Sequence, residues 1–228
     1  MTRNDLKSKV SGISIGLFAA DLGNLRRSAQ NIAEWGCKAL HFDVADGVFV
    51  PQMVGGPGFV SAMDVGMLRD VHLMVQNPAD HVGPYIKAGA DMITVQAESD
   101  TAAVAIERIK SSERPVLAGL ALMPGTTLEA AKPLLALAPD MISVLSFDPR
   151  DSLPIDIASA CARITELRAL APDAVLVFDG GVTLDSIAEI AVCAPDMVVS
   201  GSAILKAKKP KRAYSAMLKA LTVLAPKS

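Results

Sequence analysis

The chain has 228 residues, 51% of them hydrophobic, and its 22 basic and 24 acidic residues nearly cancel. A chain of that length and apolar content buries a full core, which excludes a disordered polypeptide. The lack of a basic excess and the 4% aromatic content exclude a nucleic-acid surface and an aromatic membrane belt.

The chain alternates strand-like and helix-like segments. Short, mostly continuous apolar runs predict strands at GISIGLF (12–18), KALHFDV (38–44), DVHLMV (70–75) and DMITVQA (91–97). Four more follow at VLAGLAL (116–122), DMISVLSF (140–147), AVLVFDG (174–180) and DMVVSGSA (196–203). Runs of this kind suit parallel strands buried on both faces. Between them, Leu22, Leu25, Ala29, Ile32 and Ala33 recur at helical spacing ahead of Gly36, and Pro210 can open a helix with Ala213, Met217, Leu221 and Leu224 on one face. A weak internal repeat (Ala90-Asp91-Met92-Ile93, Pro139-Asp140-Met141-Ile142, Pro195-Asp196-Met197-Val198) closes a helix and opens a strand each time, and is read as a packing device. Eight such units predict an α/β fold of the closed (β/α)8 TIM-barrel type, with residues 1–228 as one domain. A doubly wound open sheet is the alternative, weakened because no G-x-G-x-x-G follows the first strand.

No apolar run approaches the roughly 18–20 residues that cross a bilayer. The charged N-terminal stretch is not followed by the apolar segment of a secretory signal. Cys37, Cys161 and Cys193 are odd in number, lie far apart and form no C-x-x-C pair, so they are read as buried free thiols in helix-like stretches. A reducing, cytoplasmic location is the expectation.

In a barrel, chemistry gathers at the C-terminal ends of the strands. The second strand carries His41 and Asp43, which alternation puts on one face with Phe42 on the other, and the third carries His72. The seventh ends at Asp179-Gly180-Gly181 and the eighth at Ser200-Gly201-Ser202. Two imidazoles and two carboxylates on barrel strands suit one divalent transition metal ion (Zn, Mn, Fe or Co). The competing reading of either histidine alone is a polar filler of the barrel. Asp43 and Asp179 could each face one side of a substrate carbon, one removing a proton and the other returning one. Asp46 is read as capping a turn before Gly47, and His81 as a surface residue. Gly180, Gly181, Gly201 and Ser202 lie where barrels hold a phosphate on backbone amides.

These residues carry a resemblance. HFDVADGVFVP, HLMVQNPADH, KAGADMITV, LMPGTTLE, FDGGVT and VSGSAI, in this order from about Ser14 to Leu205, resemble the ribulose-phosphate 3-epimerase family. The resemblance implies a ribulose-phosphate-binding barrel that interconverts D-ribulose 5-phosphate and D-xylulose 5-phosphate with a divalent metal. It implies metal ligands at His41, Asp43, His72 and Asp179, with Asp43 and Asp179 as the acid/base pair. Substrate contacts are implied at Met74, Gly180, Gly181, Gly201 and Ser202. The expected partner is a small sugar phosphate, with no nucleic acid or membrane, and association into a homo-oligomer through barrel faces stays open.

Four departures from the family pattern bear on substrate. A serine of the first strand is Gly16, the methionine of D-V-M-D-G is Ala45, and a histidine of the fourth strand is Gln96. The glycine-rich loop after strand six is Asp148-Pro149-Arg150-Asp151-Ser152-Leu153-Pro154. Its side chains restrict the positive-φ geometry of a glycine loop. Arg150 either pairs with phosphate directly or is a solvated surface arginine. The expectation is therefore 3-epimerisation of a pentulose 5-phosphate. The alternatives are a tetrulose or hexulose phosphate or an unphosphorylated ketose and, in another class, a catalytically weak metabolite-binding barrel.

Overall fold

Apolar runs buried on both faces need neighbours on both edges as well, and eight of them satisfy one another by closing into a ring. The computed structural model describes residues 2–151 and 154–224, without the side chain of Leu224. The strands are β1 (Gly12–Gly16), β2 (Ala39–Asp46), β3 (Leu68–Met74) and β4 (Met92–Gln96). They continue as β5 (Leu117–Leu122), β6 (Met141–Leu145), β7 (Val175–Asp179) and β8 (Met197–Ser200). All eight pair in parallel, each with its neighbours in sequence. The ring closes where β1 meets both β2 (Gly16 opposite His41) and β8 (Ile15 opposite Ser200). The fold is a (β/α)8 TIM barrel. A two-residue strand, Met53–Val54, folds back antiparallel on Ala45–Asp46 and extends the wall above β2.

Helices cover the ring, among them Leu25–Glu34, Pro78–Lys87, Ala102–Lys110, Ile157–Leu170 and Pro210–Leu224. Their apolar faces meet outward-pointing strand residues such as Leu40, Phe42, Val71, Ile93, Leu120, Ile142, Leu176 and Phe178 in one core cluster. Leu25, Ala29 and Ile32 are buried as their spacing predicts, and Gly36 ends that segment with a φ of 83°. Leu22 departs from the reading: it lies in a 3₁₀ turn before the helix and is exposed. Met217 and Leu221 of the last helix are buried, whereas the expectation for the Leu224 side chain falls outside the described residues.

The N-terminal end of the barrel is plugged. Leu6, on the capped helix Arg3–Lys7, packs with Val10, Met92, Leu117, Met141, Val175 and Met197 in a separate apolar cluster. No apolar periodicity marks that helix in the sequence. The repeated Asp-Met pairs build this end. Asp91 Oδ2 accepts the backbone N–H of Arg69 at 2.9 Å, Asp140 Oδ2 that of Ala118 at 2.9 Å, and Asp196 Oδ2 that of Leu176 at 2.7 Å. Each aspartate thus ties the start of its own strand to the strand before it, and the methionine that follows fills the plug. Arginines pair with all three: Arg114 Nη2 lies 2.6 Å from Asp91 Oδ1, Arg168 Nη2 2.7 Å from Asp196 Oδ2 and Arg3 Nε 3.8 Å from Asp140 Oδ2.

The thiols differ from expectation in part. Cys37 is buried but precedes β2 outside any helix, and Cys161 and Cys193 are only partly buried. No helix of the described residues is long and apolar enough to cross a membrane.

Candidate active site

Strand alternation at β2 turns Phe42 out to the helices and His41 and Asp43 inward, where β3 and β7 bring His72 and Asp179 against them. His41 Nε2 lies 3.2 Å from Asp43 Oδ1. His72 Nδ1 lies 3.7 Å from Asp43 Oδ1 and 3.6 Å from Asp179 Oδ2. The two imidazole centroids are 5.9 Å apart. His41, His72 and Asp179 each offer a ligand atom within 4.8 Å of the others, and Asp43 reaches both imidazoles from the more open side. Both histidines are almost fully buried.

Further contacts hold this cluster from below. Asp70, on β3, accepts from His41 Nδ1 at 2.8 Å and from the Ser14 hydroxyl at 2.9 Å through the same Oδ2. A carboxylate can only accept, so His41 carries a proton on Nδ1 toward Asp70 and, as the imidazolium, a second on Nε2 toward Asp43. Gln96 of β4, fully buried, places its amide nitrogen 3.0 Å from His72 Nε2. Ser14 and Asp70 were not picked out as site residues in the sequence. The one available signal was that Asp70 is in phase with His72, two residues away on the same strand.

Burial penalises charge at His41, but Asp70 and Asp43 outweigh it and hold the imidazolium well above the ordinary histidine range. Burial also works against the Asp43 carboxylate, yet the flanking His41 and His72 keep it well below the ordinary range. At Asp179 burial wins over the same two imidazoles and pushes the carboxyl up. The neighbouring carboxylates Asp43 and Asp70 add to that rise. His41, His72 and Asp179 form a His-His-Asp donor set that fits a divalent transition metal. A cation there would replace the Nε2 proton of His41 and offset the desolvation at Asp179.

Above the cluster opens a cavity of about 370 Å³ whose lining includes Asp43, His72, Asp179, Met74, Phe147 and Gln52. Met74 therefore shares the site with the four polar residues. Gly180 and Gly181 continue β7 with φ of 98° and 63°, and a Cβ at Gly180 would sit 2.5 Å from the Phe147 ring. At Gly181 a Cβ would meet Ile155 at the same 2.5 Å, so an apolar side chain leans on this corner. Gly201 packs against Gly16, where a Cβ on Gly201 would lie 3.0 Å from the Gly16 carbonyl oxygen, and Ser202 opens a four-residue helix.

Arg150 is exposed and pairs within its own turn. Its Nε donates to Asp148 Oδ1 at 3.0 Å and its Nη2 to Asp148 Oδ2 at 2.7 Å, while its guanidinium carbon lies 5.9 Å from the centre of the Phe49 ring. The arginine closes a local turn on a buried aspartate. The expectations for Ser152 and Leu153 fall outside the described residues. Asp46 does cap the turn, accepting from the backbones of Val48, Phe49 and Gln76, and His81 is exposed.

A closed parallel barrel with titratable groups gathered at the C-terminal mouth defines an enzyme of the TIM-barrel class. Residues 12–205 match the model of the ribulose-phosphate 3 epimerase family, and the chain belongs to that family, among the isomerases that act on carbohydrates. It is 30% identical over 206 residues to LsrE of Salmonella typhi, covering 85% of this chain and 81% of that one. It is also 30% identical over 216 residues to the cytoplasmic isoform of ribulose-phosphate 3-epimerase of Oryza sativa subsp. japonica, covering 92% and 93%. The fold is similar to that of 3-keto-L-gulonate-6-phosphate decarboxylase of Vibrio cholerae O1 biovar El Tor str. N16961. The TM-score there is 0.72 at 18% identity, over 95% of this chain and 99% of that one.

Proposed function

We propose that the protein is a metal-dependent 3-epimerase of the cytoplasm, a single-domain barrel that interconverts D-ribulose 5-phosphate and D-xylulose 5-phosphate. The observation that carries this reading is the placement of Asp43 and Asp179. They come from strands on different sides of the mouth, and both lie within 3.7 Å of one imidazole nitrogen, that of His72. A site that inverts a carbon next to a carbonyl needs two such groups, one to take the proton from one face and one to return a proton to the other. His41, Asp43, His72 and Asp179 would hold the divalent ion, which when bound stabilises the negative charge that develops on the oxygens of the enediolate. Asp43 and Asp179 exchange the C3 proton. Asp70 and Ser14 keep His41 in one tautomer, and Met74 and Phe147 keep water away from the reacting carbon. Gly180, Gly181, Gly201 and Ser202 would take the phosphate on backbone amides.

One observation favours a second reading, an epimerase of a tetrulose or hexulose phosphate or of an unphosphorylated ketose. Ile155 leans on Gly181, and Arg150 spends its two-nitrogen edge on Asp148. The anion corner is thus less polar than a glycine-rich loop would make it. A solvent-deuterium exchange screen of purified protein against pentulose, tetrulose and hexulose phosphates and their free sugars separates the two. Exchange at C3 of D-ribulose 5-phosphate alone supports the first. Faster exchange with another ketose moves the assignment to it, and no exchange with any of them overturns both.

A further inference from the structure

The two histidines of the site are supported in chemically different ways. Asp70 is an acceptor only, so it allows His41 a single arrangement, with the proton on Nδ1 and Nε2 turned to the centre. The partner of His72 is an amide, which has a donor end and an acceptor end. As placed, Gln96 Nε2 donates to His72 Nε2 at 3.0 Å, and this requires the imidazole proton to sit on Nδ1. That Nδ1–H then points at Asp43 Oδ1, 3.7 Å away, and Asp179 Oδ2, 3.6 Å away. This is a good arrangement for an imidazole among carboxylates and a wrong one for a metal ligand, which must offer a lone pair there.

Gln96 Oε1 is buried and has no hydrogen-bond partner among the described residues. A half-turn of the amide would bring Oε1 to His72 and move Nε2 to the place where Oε1 now meets no donor. Either end of the amide can therefore pair with His72 Nε2, one as donor and the other as acceptor. The balance between them is then set by where His72 keeps its proton. Resting on the metal-site reading above, we propose that Gln96 is the positioning residue of His72 and works as a two-position support. Its amide donates while His72 carries Nδ1–H, and turns over to accept Nε2–H when a divalent cation takes the Nδ1 lone pair.

The test reads tautomers and metal affinity rather than turnover. In ¹⁵N-imidazole spectra of chelator-treated protein, His72 is expected as the Nδ1–H tautomer, converting to Nε2–H with a metal-shifted Nδ1 on addition of Zn(II). Gln96→Leu, which keeps the volume and removes both ends of the amide, should weaken Zn(II) binding about 10–100-fold with an unchanged melting profile. Gln96→Glu, an acceptor only, should fix Nε2–H before any metal is added and bind Zn(II) at or above the affinity of the unmodified protein. Should the unmodified protein bind no Zn(II), the metal-site reading falls and this proposal with it. If it binds and Gln96→Leu matches it in affinity and tautomer, the proposal alone is overturned. A His72 already in the Nε2–H form before metal is added overturns the two-position support equally.

Discussion

The two ends of the barrel use the same residue type for opposite purposes. At the N-terminal end Asp91, Asp140 and Asp196 each accept a backbone N–H of the preceding strand, and each is paired with an arginine. Their charge is spent on the fold, and the methionines beside them seal the interior. At the C-terminal end Asp43 and Asp179 accept no backbone N–H among the described residues, and both face buried imidazoles. Desolvation there goes uncompensated by backbone, which is how a carboxyl is left available for proton transfer. Substitutions at the two ends should therefore separate activity from stability.

The largest expected effect is at the mouth. Asp43→Asn and Asp179→Asn should each lower kcat for the ketose that exchanges by about two or more orders of magnitude, while thermal unfolding shifts little because no backbone contact is lost. A wild-type rate in either variant would remove that residue from the acid/base pair. His72→Ala should cut the bound transition metal, measured by elemental analysis, from one equivalent per chain to a small fraction. An unmodified protein that is metal-free and fully active would break the assignment of the whole centre.

The opposite pattern is expected below. Met197→Ala opens a cavity in a plug where Met197 is 1% exposed, and should destabilise by about 2–5 kcal/mol in denaturant unfolding with kcat kept within about twofold. Asp196→Ala strips a backbone N–H and Arg168 of their partner and should cost about 1–3 kcal/mol, again with kcat retained. A large loss of kcat in either would mean that the two ends are mechanically coupled.

Much of the barrel was legible because its strands are buried on both faces and written as apolar runs, and because the Asp-Met repeat marks three strand starts. The pair His41 and Asp43 was legible from alternation alone. What was not legible depends on closure: Ser14 reaches Asp70 across 56 residues and His41 reaches Asp70 across 29, through a ring that no local pattern specifies. The helix Arg3–Lys7 was hidden for a related reason, since its single buried residue, Leu6, gives no periodicity to read. The pairing of Arg150 with Asp148 was not legible because it forms inside a turn, two residues apart, whose shape no local pattern specifies.

That arginine gives the smallest effect, and the one that most sharpens the substrate question. Two of its nitrogens are held by Asp148, so Arg150→Ala should change KM for a phosphorylated ketose by less than about threefold, short of what losing a charge-assisted phosphate contact would cost. A tenfold rise would return the guanidinium to the phosphate. The variant should register instead in acid stability. Hydrogen bonding from Arg150 holds the Asp148 carboxyl below its ordinary range in the folded protein. A depressed folded-state pKa adds stability that is present above the unfolded value, about 3.9, and is lost as pH falls through the folded one. Without the arginine, that contribution shrinks at neutral pH and what remains is lost at a higher pH. The difference in unfolding free energy between the two proteins should therefore be largest above about pH 5 and fade toward pH 2. It should stay near 1 kcal/mol or below, since Arg150 is 42% exposed and water screens the pair.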